Sequence, residues 1–316
     1  MKDYELDVSR GVITGGLKNI FPYLVPFYEL LEQTIKTEKY RHSDETSWMM
    51  IEERRQRWWL WVQSSSKIIF FCFDPSRSHR VPARLMENNG DKPFVIVADR
   101  FAAYKKLDNV LIAFCWAHVR RDFIKVQASL RNNHQVVTWT EQWLDMIRTL
   151  YKINELRLYA RESKTFDHYH KRLVSQLDYM WQASVEEVET EAQHKVLKSL
   201  HRHWYSLTLF VDDPYIPMDN NKVERELRGP VLGRKNSLVI RSSWAGLLIA
   251  IMYSVTETCK LHKVNPYLWL EKYLEACACH QDAPPNLEDF LPWNVKEYGF
   301  TEKESHQVPC SKARSP

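Results

Sequence analysis

Long apolar runs are missing from this chain. The longest, Trp244 to Val255, is too short to cross a bilayer and reads as a buried helix, so no membrane is implied. A secretory leader is lacking too, since Met1-Lys2-Asp3-Tyr4-Glu5-Leu6-Asp7 is polar and acidic. The six cysteines are scattered through 316 residues, which excludes a compact disulfide framework and points to free thiols in a reducing cytoplasm. Neither sign of charge dominates: 44 Lys+Arg against 40 Asp+Glu leave a net charge of +4. A polyanionic partner is compatible with that balance but not argued by it. The chain shows no internal repeat, no clear DNA-binding motif at its N-terminus, and no glycine from Val119 to Phe210.

What is present describes a globular α/β protein. With 44% hydrophobic and 27% charged residues, the chain can bury a substantial core, as one large domain with an insertion or as two domains. Gly15-Gly16 is expected to break the chain before an amphipathic helix over Ile20 to Thr34. A first strand holds Asp44. Trp58 to Val62 and Ile68 to Phe73 read as a hairpin that turns at Ser64-Ser65-Ser66. A short helix over Val81 to Asn88 follows. Phe94 to Ala98 and Val110 to Phe114 are continuous apolar runs of the kind buried on both faces of a sheet, with a helix from Ala102 to Leu107 between them. Three strands followed by βαβ units give a mixed sheet with helices packed on it, the order of a ribonuclease-H-like core. From residue 119 to 212 helical periodicity takes over, an all-helical insertion. The core then resumes over 213–276, with Leu238 to Ile240, a helix from Trp244 to Leu261 and another from Tyr267 to Ala276, and 277–316 reads as a tail.

Three carboxylates fall where chemistry would want them. Asp44 lies in the first strand. Asp99 ends a buried strand, where a charge is costly unless bound. Glu224 lies on a helix after the insertion, which Asp219 opens as N-cap and along which Val223, Leu227 and Val231 recur at helical spacing. Hard divalent cations take such oxygen ligands, and two ions held together support phosphodiester chemistry. Taken singly, Asp99 is as well read as the cap of a following helix and Asp44 as a turn residue. Together, in this strand order, they favour metal binding.

Several motifs, in order, then resemble one family. His42-Ser43-Asp44-Glu45-Thr46-Ser47-Trp48, Val97-Ala98-Asp99-Arg100, Cys115-Trp116-Ala117-His118-Val119-Arg120-Arg121, Asp219-Asn220-Asn221-Lys222-Val223-Glu224-Arg225, Gly233-Arg234-Lys235-Asn236 and Leu291-Pro292-Trp293-Asn294 resemble the insertion-sequence 66 group of bacterial transposases. The resemblance implies a DDE transposase with Asp44, Asp99 and Glu224 as metal-binding triad. It implies Mg²⁺ or Mn²⁺ as a pair of ions, cleavage at transposon ends, and attack of the freed 3′-hydroxyl on target DNA. The implied partners are DNA, further copies of the chain on that DNA, and accessory transposition proteins, in a nucleoid-associated cytoplasmic setting. Family members carry a helix-turn-helix and a cysteine-rich segment ahead of the catalytic region. The resemblance therefore presents this chain as a catalytic part, with a non-catalytic DNA-binding or inhibitory remnant as the alternative. The family usually has Asp-Gly where this chain has Asp99-Arg100, and Arg100 either adds a phosphate contact or crowds the metal.

Arg120, Arg121, Arg225, Arg228, Arg234 and Lys235 flank the triad in sequence and are the candidate phosphate contacts, with a solvated basic face as the plainer reading. Cys115 and His118 make only half a zinc site with no second pair following, so they read as positioning residues beside the active site. Cys277-Ala278-Cys279-His280 is spaced too tightly for an ordinary finger. Trp139, Trp143, Trp181 and Trp204 read as core of the insertion, with base stacking by one of them as the alternative.

Overall fold

The computed structural model describes residues 9–51, 57–85, 94–101, 104, 107, 110–237 and 239–295. The expected helix from Ala102 to Leu107, the end of the helix expected over Val81 to Asn88, and the tail beyond 295 with Cys310 lie wholly or largely outside those residues. Strands β1 (Tyr40–Met50), β2 (Arg57–Ser64), β3 (Ile69–Asp74), β4 (Phe94–Ala98), β5 (Val110–Phe114) and β6 (Val239–Ile240) form a mixed sheet in the order β3-β2-β1-β4-β5, with β6 pairing with β1. The chain divides into two compact units, one of Lys39–Ser43 and Lys92–Glu224, the other of Met1–Glu38, Asp44–Asp91 and Arg225–Pro316.

The first of these units pairs β1 with β4 in parallel, Tyr40 opposite Val95 and His42 opposite Val97, and β4 with β5 in parallel. Every residue of β4 is buried, as its unbroken apolar run requires. Four helices follow: α3 (Trp116–Ser129), α4 (His134–Tyr159), α5 (Phe166–Ser184) and α6 (Glu191–Asp212). They bury one continuous core in which Phe123 stacks on Trp143, ring centroids 4.8 Å apart. Trp143 is buried and Trp139 and Trp204 pack partly against that core, whereas Trp181 stays 37% exposed beside Trp204. α6 opens on a capping box formed by Thr190 and Gln193. It lies against β5, where Phe114 meets His203 edge-on. Arg157 of α4 is fully buried and donates to the carbonyls of Phe210 and Val211 at the end of α6. Burial, then the neighbouring Arg161, lowers its guanidinium to about 10.

In the other unit, α1 (Arg10–Thr37) runs straight through Gly15-Gly16, contrary to the expected break. Both glycines have open space where a Cβ would stand, so they serve no turn and are simply weak residues in an exposed helical turn. The helix buries Leu24, Phe27, Leu31 and Ile35 and meets β3 at Tyr28, whose ring stacks on Phe70 and whose hydroxyl donates to the Phe71 carbonyl at 2.7 Å. β2 and β3 form the expected antiparallel hairpin, with Trp61 opposite Cys72. The outer edge of β3 is closed by α9 (Ser243–Leu261). Ser254 and Thr258 accept the backbone N–H groups of Phe71 and Ile69 at 2.8 and 3.1 Å. Four residues of helix and two of strand each advance about 6 Å, so the two hydroxyls fall in step with the strand. An edge that would otherwise be a template for another chain is thereby satisfied. Replacing both (Ser254→Ala with Thr258→Val) leaves two buried N–H groups unpaired, an expected cost of about 2–4 kcal/mol. Faster amide exchange confined to β3 and α9 is the expected readout, and unchanged protection there would contradict it.

The helix expected to start at Asp219 is two helices. α7 (Asn221–Glu226) stops and α8 (Arg228–Ser237) begins, with Leu227 between them. Pro230 explains the break, because it has no N–H for the Glu226 carbonyl and its ring crowds that group. The Asp219 carboxylate accepts the Asn221 N–H, but the helix begins at Asn221 and the Asn220 carbonyl accepts its first helical bond, so Asn220 holds the cap position and Asp219 makes an Asx turn just before it. α10 (Pro266–His280), capped by Asn265, continues past Ala276. It holds the following 3-10 turn, Leu287–Phe290, through a 2.7 Å hydrogen bond from the Trp269 indole to the Phe290 carbonyl.

Candidate metal and nucleic-acid site

Strand β5 hands over directly to α3 at Cys115, and that junction builds the site. The Trp116 N–H donates to the Met218 carbonyl, which ties the start of α3 to the segment leading into α7. Asn220, only 1% exposed, fastens that segment more firmly. Its side-chain amide donates to the Ser43 carbonyl at 2.9 Å, its Oδ1 lies 2.8 Å from His42 Nδ1, and its backbone N–H donates to Cys115 Sγ at 3.1 Å. One buried residue therefore joins β1, the start of α3 and the approach to Glu224. The sequence displayed Asn220 inside a motif without showing this work, since an Asn before a helix reads first as a cap.

Glu224 stands in the first turn of α7 and meets α3 side by side. Arg121 forms an ion pair with Glu224 Oε1, and His118 Nε2 lies 3.9 Å from the same oxygen. His118 and Arg121 are three apart on α3 and so share a face. Burial lowers the His118 pKa, as does Arg121; Glu224 and Asp99 pull it the other way. The imidazole therefore senses both carboxylates. Asp99 directly follows β4 and its Oδ1 accepts the Phe101 N–H at 2.9 Å, an Asx-type turn. Cys115, His118 and Glu224 have ligand atoms all within 4.8 Å of one another. A carboxylate from beyond the insertion thus approaches the Cys-x-x-His pair, a proximity that local spacing does not display.

Arg100 does not stand free. Its guanidinium pairs with Asp122 of α3 and donates to Ser199 of α6 at 2.8 Å. Of the expected phosphate contacts in this unit, Arg120 and Arg121 are exposed on α3, although Arg121 is already engaged with Glu224.

The remaining candidates belong to the other unit. Asp44 is half-buried and its Oδ1 accepts the Glu45 N–H at 2.9 Å. Glu45 is taken up by Arg77, whose Nη2 lies 2.7 Å from its carboxylate. Arg234 donates to the Thr46 hydroxyl at 2.9 Å and to the Ser47 carbonyl, steadying the strand just after Asp44. Arg225, Arg228 and Lys235 are exposed. Glu226 accepts from Ser64 at 3.0 Å, a separate commitment from that of Glu224.

Burial pushes the Cys115 thiol up to about 11 and that of Cys259 to about 12, while Cys279 is exposed. In the native protein at neutral pH, a thiol alkylating agent is expected to modify Cys279 and leave Cys115 and Cys259 intact until denaturant is added. Mass spectrometry of the labelled peptides checks this. Rapid labelling of native Cys115 would contradict its buried placement.

Comparison with known proteins supplies the context for this geometry. A family described as Transposase IS66 family matches residues 1–247, and one described as IS66 C-terminal element matches residues 254–293. Among curated relatives, the uncharacterized protein y4jD of Sinorhizobium fredii (strain NBRC 101917 / NGR234) is 27% identical over 322 residues, covering 93% of this chain and 61% of its own length. The uncharacterized protein y4qI of the same strain is 24% identical over 319 residues, covering 92% of this chain and 57% of its own. The chain thus spans about three fifths of the length of the curated relatives it matches.

Proposed function

Since the chain belongs to the IS66 transposase family, we propose that it is a DDE-type DNA transposase whose metal-binding carboxylates are Asp44, Asp99 and Glu224. The observation that carries this reading is that Glu224, from beyond a long helical segment, meets His118 and Arg121 on α3, the helix that follows the partner strand of the one ending at Asp99. The strand order β3-β2-β1-β4-β5 supports a ribonuclease-H-like core, with 119–212 as its helical insertion.

Carboxylate oxygens suit a hard divalent cation, so Mg²⁺ or Mn²⁺ fits this donor set, with the three carboxylates as its holders. Bound there, a pair of such ions supplies activation of the attacking oxygen and stabilisation of the leaving one. The protein's own part is positioning. Asn220 and the Trp116–Met218 hydrogen bond hold α7 against α3, and Arg121 orients Glu224 until the site is loaded. Arg120, Arg121, Arg225, Arg228, Arg234 and Lys235 are the proposed contacts to DNA phosphates, and binding should weaken steeply with added salt. Assembly of further copies on the DNA, and accessory proteins, belong to the same proposal.

The test uses DNA carrying the ends of the element that encodes the chain, with Mn²⁺ and a target plasmid. Nicked ends followed by joined products are expected. Binding of the ends with no nicking at any metal concentration would instead favour the non-catalytic reading.

A further inference from the structure

We propose that Cys115, His118 and Glu224 form a binding site for one soft or borderline divalent cation of the zinc class, separate in chemistry from the hard-cation carboxylates. Thiolate, imidazole and carboxylate are a zinc-type donor set, and three protein ligands with an open fourth position is a familiar arrangement for that ion. The distances make it reachable. Tetrahedral ligands around zinc stand roughly 3.5 Å apart, given metal–ligand bonds of about 2.0–2.3 Å. Here the ligand atoms are within 4.8 Å, and His118 Nε2 is 3.9 Å from Glu224 Oε1. A closure of about 1 Å is within the reach of side-chain torsions, because the long Glu224 side chain is partly exposed.

Two further observations point to a ligand. His118 Nδ1 is buried with no hydrogen-bond partner among the described residues, and Nε2 is too far from Glu224 for a hydrogen bond. The ring is thus placed between a thiol and a carboxylate without a hydrogen bond that explains its position. The sulfur in turn accepts the Asn220 N–H at 3.1 Å, the kind of outer contact that orients a thiolate on a metal. Arg121 competes for Glu224, but that pair is partly exposed and cheap to give up.

Glu224 would then belong to either ion but serve one at a time. On the proposed function above, a zinc-class ion at Cys115 and His118 withdraws Glu224 from the triad and inhibits cleavage.

The test begins with Co²⁺ added to the full, metal-free protein. A near-ultraviolet thiolate-to-cobalt absorption band saturating at one ion per chain is expected, bleached by Zn²⁺. Cys115→Ser and His118→Ala should each abolish the band, and Glu224→Gln should weaken Co²⁺ binding at least about tenfold. His118 lies partly exposed, so its variant is the safer for folding, checked by circular dichroism. Absence of the band at saturating Co²⁺, or its persistence in both Cys115→Ser and His118→Ala, would overturn the site. Zn²⁺ inhibition of Mn²⁺-dependent nicking is the second readout. The band without inhibition upholds the site and removes Glu224 from the triad instead, so the two readings fail separately.

Discussion

Asp99→Asn and Glu224→Gln are each expected to lower metal-dependent nicking of transposon-end DNA by at least about a thousandfold, with folding and DNA binding retained. The size follows from the role: removing one carboxylate that holds a catalytic ion removes several kcal/mol of transition-state stabilisation, and each 1.36 kcal/mol is a factor of ten. Stability should move little. Glu224 is partly exposed and paired with an exposed Arg121, and such pairs contribute at most about 1 kcal/mol. The Glu226→Gln variant is the control, because that side chain answers to Ser64. Nicking undiminished in Asp99→Asn would remove that residue from the triad, and loss in Glu226→Gln equal to that in Glu224→Gln would make Glu226 a rival for the third position.

Asn220→Ala carries the other large effect. The variant deletes a buried amide that donates to the Ser43 carbonyl and faces the His42 ring. Each buried group left without its partner costs about 1–3 kcal/mol, so a loss of about 2–4 kcal/mol is expected for the unit that holds it. Since the same segment sets the start of α7, nicking should fall as well, at a temperature where the variant is still folded. A double-mutant cycle with His42→Ala separates the two effects: coupling of at least about 1 kcal/mol is expected. Additive effects would mean that the 2.8 Å approach between the two side chains stabilises nothing.

These residues also show what was legible before the fold was known. Strands announced by apolar runs with turn residues between them, such as Ile69–Asp74 and Phe94–Ala98, were readable because burial on both faces leaves no room for polar side chains. The helices from 116 to 212 were readable for a related reason: Trp143, Ile147 and Leu150 mark one face of α4. Breaks within helices were harder to place. Gly15-Gly16 looks like punctuation yet is tolerated in α1, whereas Pro230, three positions after Leu227, ends a run whose apolar spacing continues undisturbed. The cluster of Cys115, His118 and Glu224 was half visible. A Cys-x-x-His pair can be read within four residues, but its third member arrives from 106 positions beyond His118, and only the packing of α7 on α3 unites them. Asn220 belongs to the same class, since its partners Ser43 and His42 are distant in sequence.

Mn²⁺ binding to the protein on its end DNA tests the central assignment most directly. Calorimetric titration of the wild-type complex is compared with the Asp44→Asn, Asp99→Asn and Glu224→Gln complexes. The triad predicts saturable binding in the wild type and a loss of at least one ion, or a fall of about tenfold or more in affinity, in each variant. Mn²⁺ binding of unchanged stoichiometry and affinity in all three variants would place the metal on other residues and contradict the account.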